Sequence, residues 1–380
     1  MAGRFAPRPR TTPRGPVTLP TAPATQNVPA ATQTTPPRTT TPALSTVPGT
    51  QTAAPTPTTQ APHTTPTPTP TPPPADGLRR HWTPPDGAPY DLGLALGPLR
   101  RGSGDPTFFA ATDGTIWRAS RTPAGPATLR AAHHHGGAVE AQAWGPGAEW
   151  LLDHLPDLLG ASDDPGTFTP RHRAVLAAHR NRPGLRLCRT NLVLESLIPS
   201  VLEQKVTTVE AYRAWRLLVR KYGEPAPGPA ATRLHVMPDP RTWAMIPSWE
   251  WHKAGVDAKR SSTILRAVRV ARRLEEATAM EPEQAAARLQ LIPGIGPWTA
   301  AEVIQRTNGA PDAVTVGDLH LPGIVGHALA GNRDADDEEM LELLAPYAGH
   351  RHRAVRLILL SGHTPARRAP RMPLRNFAGM

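Results

Sequence analysis

Cysteine occurs once in this 380-residue chain, at Cys188, which excludes an intramolecular disulfide framework and any metal or iron–sulfur centre built from four thiolates. Such sparing use suits a reducing cytosol, and a cytoplasmic location is expected. Aromatic residues make up only 5% of the chain, and 31 acidic residues face 42 Lys and Arg, a formal charge of +11. A polyanion, most simply nucleic acid, is the partner that this balance favours. No run of 18 apolar residues occurs and no apolar leader core precedes the folded part, so no membrane partner is expected. The phosphate-loop, HExxH, GxSxG and GxGxxG motifs are absent too, which removes the signatures of nucleotide hydrolysis, zinc proteolysis, serine esterase chemistry and dinucleotide binding.

What is present is unevenly distributed. Residues 1–77 hold Pro/Thr repeats such as HTTPTPTPTPPP, with too little apolar surface to offset the entropy of ordering, and read as a disordered tail. From about Pro89 to Gly145 the segments DLGLALG, GTIWRASRT, PATLRAAHH and AVEAQAWG alternate apolar with small or polar residues between turn clusters, the pattern of short strands. One amphipathic helix is expected in GAEWLLDHLPDLLG. From about Pro170 the period becomes helical, through RHRAVLAAHRN to DEEMLELLAPY. The expectation is an α+β chain: a small antiparallel sheet domain over 78–168, an all-helical domain over 169–365, and a basic tail over 366–380. The run His133 to His135 reads as a hairpin turn, because neighbouring side chains on a strand point to opposite faces and cannot converge on one ion.

LIPGIGPWTA, residues 291–300, carries the most specific signal. Gly294 and Gly296 allow positive φ and expose backbone N–H groups, Pro293 fixes entry to the turn, and Pro297 suits the first turn of the helix that follows. Free amides and the positive end of a helix dipole together make a phosphate site. The plainer alternative is a helix–helix connection whose glycines permit close packing. A helix from Trp298 to Asn308 would be about 16 Å long and nine further residues span up to roughly 30 Å, so Asp318 can return to the hairpin. Capping the next helix is its ordinary role.

These residues resemble the helix-hairpin-helix DNA glycosylase superfamily, of the bacterial 3-methyladenine DNA glycosylase II type, over roughly residues 88–362. The stretch VLESLIPSVLEQKVTTVEAYRAWRLLVRKYG is similar to that family's first long core helix. The resemblance implies removal of a flipped-out damaged base from double-stranded DNA, an alkylated purine first of all, with Asp318 as the catalytic carboxylate that stabilises oxocarbenium-like charge and orients water. It places Trp298, and less strongly Trp251, as stacking platforms. Leu319 and Glu302 are further pocket positions, where relatives carry aromatic residues. Pro293, Gly294, Ile295, Gly296 and Thr299 are implied to face DNA, with Gln204 and Lys205 in the segment that fills the gap left by the base. Lys205 is an unusual plug and suits a phosphate contact.

Trp298 stands where bifunctional relatives have a lysine that forms a Schiff base, so base removal without lyase activity is expected. The resemblance also implies a monovalent cation, Na+ or K+, at hairpin carbonyls, and no metal is expected on side chains. A monomer is expected. The competing reading is a noncatalytic DNA-binding protein that uses the hairpin only as a phosphate grip.

Overall fold

The computed structural model describes residues 76–134 and 137–365; apart from residues 76 and 77 the expected Pro/Thr-rich tail lies outside them, as do His135 and the segment 366–380. Strands β1 (Leu78–Trp82), β2 (Phe108–Ala110), β3 (Ile116–Thr122), β4 (Gly125–His133) and β5 (Val139–Trp144) form an antiparallel sheet in the order β1-β5-β4-β3-β2. Buried Ala127, Leu129 and Ala131 on β4 and Val139, Ala141 and Ala143 on β5 recur at a spacing of two, so one face of the sheet is apolar. Helices α1 (Leu92–Leu96), α2 (Ala148–Asp153) and α3 (Leu155–Leu158) cover that face.

Two expectations are corrected here. DLGLALG is a helix and not a strand: the Asp91 carboxylate accepts from Leu94 N at 2.9 Å, and the buried Leu92, Ala95 and Leu96 then fall at helical spacing. GAEWLLDHLPDLLG makes two helices, because Pro156 has no N–H to continue the ladder of α2.

The remaining helices are α4 (Arg173–Asn181), α5 (Val193–Leu202), α6 (Thr208–Tyr222), α7 (Pro240–Met245), α8 (Ser248–Lys253), α9 (Ala258–Arg269), α10 (Ala271–Glu275), α11 (Pro282–Gln290), α12 (Pro297–Thr307), α13 (Leu321–Ala330), α14 (Asp337–Leu344) and α15 (Arg351–Leu360). This part is not wholly helical. Strands β6 (Glu224–Pro225) and β7 (His235–Val236) form a short ribbon whose Ala226, Leu234 and Val236 pack with Ala119 of the sheet.

The expected single core helix is two. Lys205 takes φ +55°, and the Thr207–Glu210 capping box starts α6 afresh. Every residue of α5 except Glu195 is buried, which makes it the axis of the helical core, with α6, α9, α10 and α12 around it. Glu195 is instead half-buried against the sheet, where it pairs with Arg118 and accepts from Arg121 N at 2.7 Å. Both ends of α5 are tied by side chains. Arg260 at the start of α9 donates to Leu202 O at 2.8 Å, and Glu275 accepts from Val193 N at 2.7 Å and Leu194 N at 3.0 Å.

Burial pushes Glu275 up to about 7 in spite of those two donors, whereas the ordinary value is 4.5. The folded state therefore holds this proton more tightly than the unfolded chain. The resulting stability is complete below the unfolded value and is lost as pH rises through about 7. Glu275→Gln should flatten the fall in stability between about pH 5 and 8, by on the order of 2 kcal/mol after allowance for residual solvation. Urea denaturation at both ends of that range measures the effect, and equal slopes for the two proteins would contradict it.

Candidate active site

The hairpin between α11 and α12 is held by α9 and by the turn that precedes α6. Gly294 takes φ +101°, and a Cβ there would lie 2.1 Å from Thr263 Oγ1 on α9, so only glycine fits. Arg266 on α9 donates to Pro293 O at 2.9 Å. Gln204 Nε2 donates to Gly294 O at 3.0 Å and to Thr299 Oγ1 at 2.8 Å, joining the hairpin to the 203–207 turn. Gly296 differs from the expectation of positive φ: it is extended at φ −99°, and a Cβ there would meet nothing within 4 Å. Neither the backbone nor the packing of this chain requires glycine at 296. Gly296 is also the N-cap of α12, which receives no side-chain cap, so the first-turn amides stay available.

The loop from Gly309 to His320 is pinned at several points before it delivers Asp318. Gln305 Nε2 donates to Ala313 O at 2.8 Å, Arg351 pairs with Asp312, and Gly317 N donates to the Asp337 carboxylate at 3.0 Å. Asp318 then accepts three N–H groups. Oδ1 takes His320 N at 2.8 Å and Leu321 N at 2.9 Å at the start of α13, while Oδ2 takes the indole Trp298 Nε1 at 2.9 Å from the first turn of α12. Capping a helix and facing the hairpin are thus combined in one carboxylate.

Asp318 lines a cleft of about 220 Å³ whose wall includes Glu302, Gln305 and Arg306 of α12, Leu321 and Ile324 of α13, and His352, Val355, Arg356 and Leu359 of α15. Arg186, Leu187 and Cys188 complete it on one side and Ala95 and Pro98 on another. Arg306 is neutralised: it donates to Glu302 Oε2 at 2.8 Å and to Pro98 O at 3.2 Å. Arg186 donates to the Asp163 carbonyl at 2.8 Å and pairs with no carboxylate among the described residues. Arg356 makes no hydrogen bond or ion pair among the described residues, and its Nε is buried without a partner, as is His352 Nδ1. Burial, followed by the charges of Arg356, Arg306 and Arg353, holds His352 well below the ordinary imidazole range and therefore neutral. Burial and then Arg306 also lower Arg356, while burial pushes the Cys188 thiol up.

The sequence-based residues divide clearly. Asp318, Trp298, Glu302, Pro293, Gly294, Gly296 and Gln204 gather at the hairpin and cleft, and Lys205 stands exposed on the adjoining turn. Trp251 does not join them: it is 2% exposed and stacked on Trp243 at 5.7 Å in the core around α5. Leu319 is 87% exposed and lies outside the cleft wall, because Asp318 and His320 on either side commit the backbone to the turn that starts α13. Ile295 and Thr299 turn inward, Ile295 into the apolar core and Thr299 onto Gln204.

Sequence reasoning missed the whole α15 wall. Its spacing was present in the sequence: His352, Val355, Arg356 and Leu359 recur at helical intervals and put two nitrogen-bearing side chains on one face of α15. No cluster of three or more His, Cys, Asp or Glu able to hold a metal occurs among the described residues. At the hairpin, Pro293 O accepts from the Arg266 guanidinium and Gly294 O from Gln204 Nε2.

The fold is similar to that of solved DNA glycosylases. The chain resembles a 3-methyladenine DNA glycosylase from Archaeoglobus fulgidus with a TM-score of 0.63 and 15% identity, over 74% of this chain and 98% of that one. It also resembles an 8-oxoguanine glycosylase/lyase from Clostridium acetobutylicum, solved with double-stranded DNA, with a TM-score of 0.57 and 11% identity over 71% and 91% of the two chains. In sequence it is 32% identical over 153 residues to a probable bifunctional transcriptional activator/DNA repair enzyme AlkA of Mycobacterium tuberculosis, a match that spans 40% of this chain and 30% of that protein. No family model matches.

Gly294→Ala should lower stability by at least about 2 kcal/mol, from the strained φ and the clash with Thr263. Gly296→Ala should change it by less than about 1 kcal/mol. Thermal unfolding of the two variants separates them, and equal losses would disprove the distinction.

Proposed function

We propose that the protein is a DNA glycosylase that hydrolyses the N-glycosidic bond of a damaged base turned out of the duplex, without strand cleavage. The observation that carries the proposal is the Asp318 carboxylate, held at the mouth of the cleft by the indole N–H of Trp298 and by two amides of α13. A carboxylate offers roughly four lone-pair positions, so three donors fix its orientation and leave one direction for water or for the cationic sugar. Asp318 then stabilises positive charge as the C1′–N bond lengthens and aligns the water that attacks C1′. No reorganisation of the anion is needed during the reaction, since its donors are already in place.

Two features support hydrolysis alone. Position 298 is Trp, and among the described residues no lysine lines the cleft, so no amine stands ready to form a Schiff base. The hairpin supplies the phosphate grip: Pro293 and Gly294 are exposed, Gly296 leaves room for close approach, and α12 begins uncapped behind them. Lys205 adds a nearby cation. The noncatalytic alternative would account for that grip and for the cap that Asp318 gives α13, and base release by Asp318→Asn separates the two readings.

The purified chain is expected to leave alkali-labile abasic sites in duplex oligonucleotides that carry one damaged base, and to form no borohydride-trapped adduct. Asp318→Asn should slow base release about a hundredfold or more while duplex affinity is retained. An amide cannot accept from all three donors, so a loss of about 1 kcal/mol in stability is also expected. Unchanged release by Asp318→Asn would refute the assignment, and a trapped adduct would refute the absence of lyase chemistry.

A further inference from the structure

The glycosylase reading leaves the damaged base unnamed, and the cleft wall bears directly on it. Enzymes that bind a cationic alkylated purine need a site that tolerates its positive charge, most simply the π-faces of aromatic rings. Among the described residues lining this cleft there is no Phe, Tyr or Trp. The wall instead carries three guanidiniums, of which only Arg306 is neutralised, by Glu302. Arg186 and Arg356 face the same space with no carboxylate paired to either among the described residues, and the Nε of Arg356 is buried without a partner. A buried donor without a partner is costly, and a ligand that brings acceptors removes the cost.

We propose, building on the glycosylase reading, that the cleft takes a neutral base rich in carbonyl oxygens, of the deaminated or oxidised class, and disfavours a cationic alkylated purine, with Arg356 donating to a carbonyl oxygen of the bound base. The chemistry agrees. When water oxygen bonds to C1′ and the C1′–N bond breaks, the bonding pair leaves on the base, and the proton from the water passes to Asp318. A cationic purine departs neutral and needs no help. A neutral base departs as an anion whose charge spreads onto its carbonyl oxygens, where a guanidinium stabilises it. Neutral His352 lines the same wall, its Nδ1 buried without a partner.

The test uses the full chain and single-turnover release from duplexes that differ only in the damaged base: hypoxanthine, uracil, 8-oxoguanine or 7-methylguanine. At least one of the three neutral bases should be released about tenfold or more faster than 7-methylguanine. Arg356→Met should shrink that ratio about tenfold or more, and Arg356→Lys, which keeps the charge, should retain most of it. Fastest release of 7-methylguanine would overturn the inference and leave the glycosylase reading intact, as would an equal loss on all four bases in Arg356→Met with the ratio unmoved. Release of none of the four would overturn both. Release that persists in Asp318→Asn would overturn the role of Asp318, while the ratios still judge Arg356.

Discussion

The carboxylate of Asp318 is the joint on which the site depends. It receives an indole N–H from the first turn of α12 and two amides from the start of α13, so the beginnings of two successive helices share one anion. Helix starts expose donors that their own ladders cannot satisfy, and an acceptor placed between two of them meets both needs at once. The hairpin and the cleft are held in register by the same contact. If the loop drifted, one helix would lose its cap and Trp298 its partner.

Behind that joint stands α5, a helix with almost no polar surface of its own. Its ends are closed by groups from elsewhere, Arg260 at the carboxyl end and Glu275 at the amino end, and its only half-buried residue, Glu195, is held by the sheet. The sheet is therefore more than an appendage: Arg118 and Arg121 on β3 fix the helix against which α12 packs.

Much of this was legible in the sequence, and the reasons for the rest are specific. LIPGIGPWTA and Asp318 were readable because a turn that demands glycine at 294 and a helix that demands an acceptor leave residue-type signatures. DLGLALG misled because Leu92, Leu94, Ala95 and Leu96 in a short segment fit either period, and Asp91 decided for the helix. Trp251 misled because a tryptophan's identity says nothing about whether it faces a ligand or a neighbour, and Trp243 claimed it. The low aromatic content, met first as a bare composition figure, proved to describe the cleft as well. The α15 wall stayed hidden because an arginine on an apolar helix face takes on meaning only when no partner faces it.

Gln204 couples two parts of the surface. By spanning Gly294 O and Thr299 Oγ1 it makes the Lys205 turn and the hairpin tip a single rigid body. Two grips on one body are not independent. Once either holds a strand, the other sees that strand at an effective concentration set by a fixed spacing, and no linker has to be ordered on binding. On the proposed glycosylase reading, avidity of this kind would let two weak phosphate contacts act as one firm one.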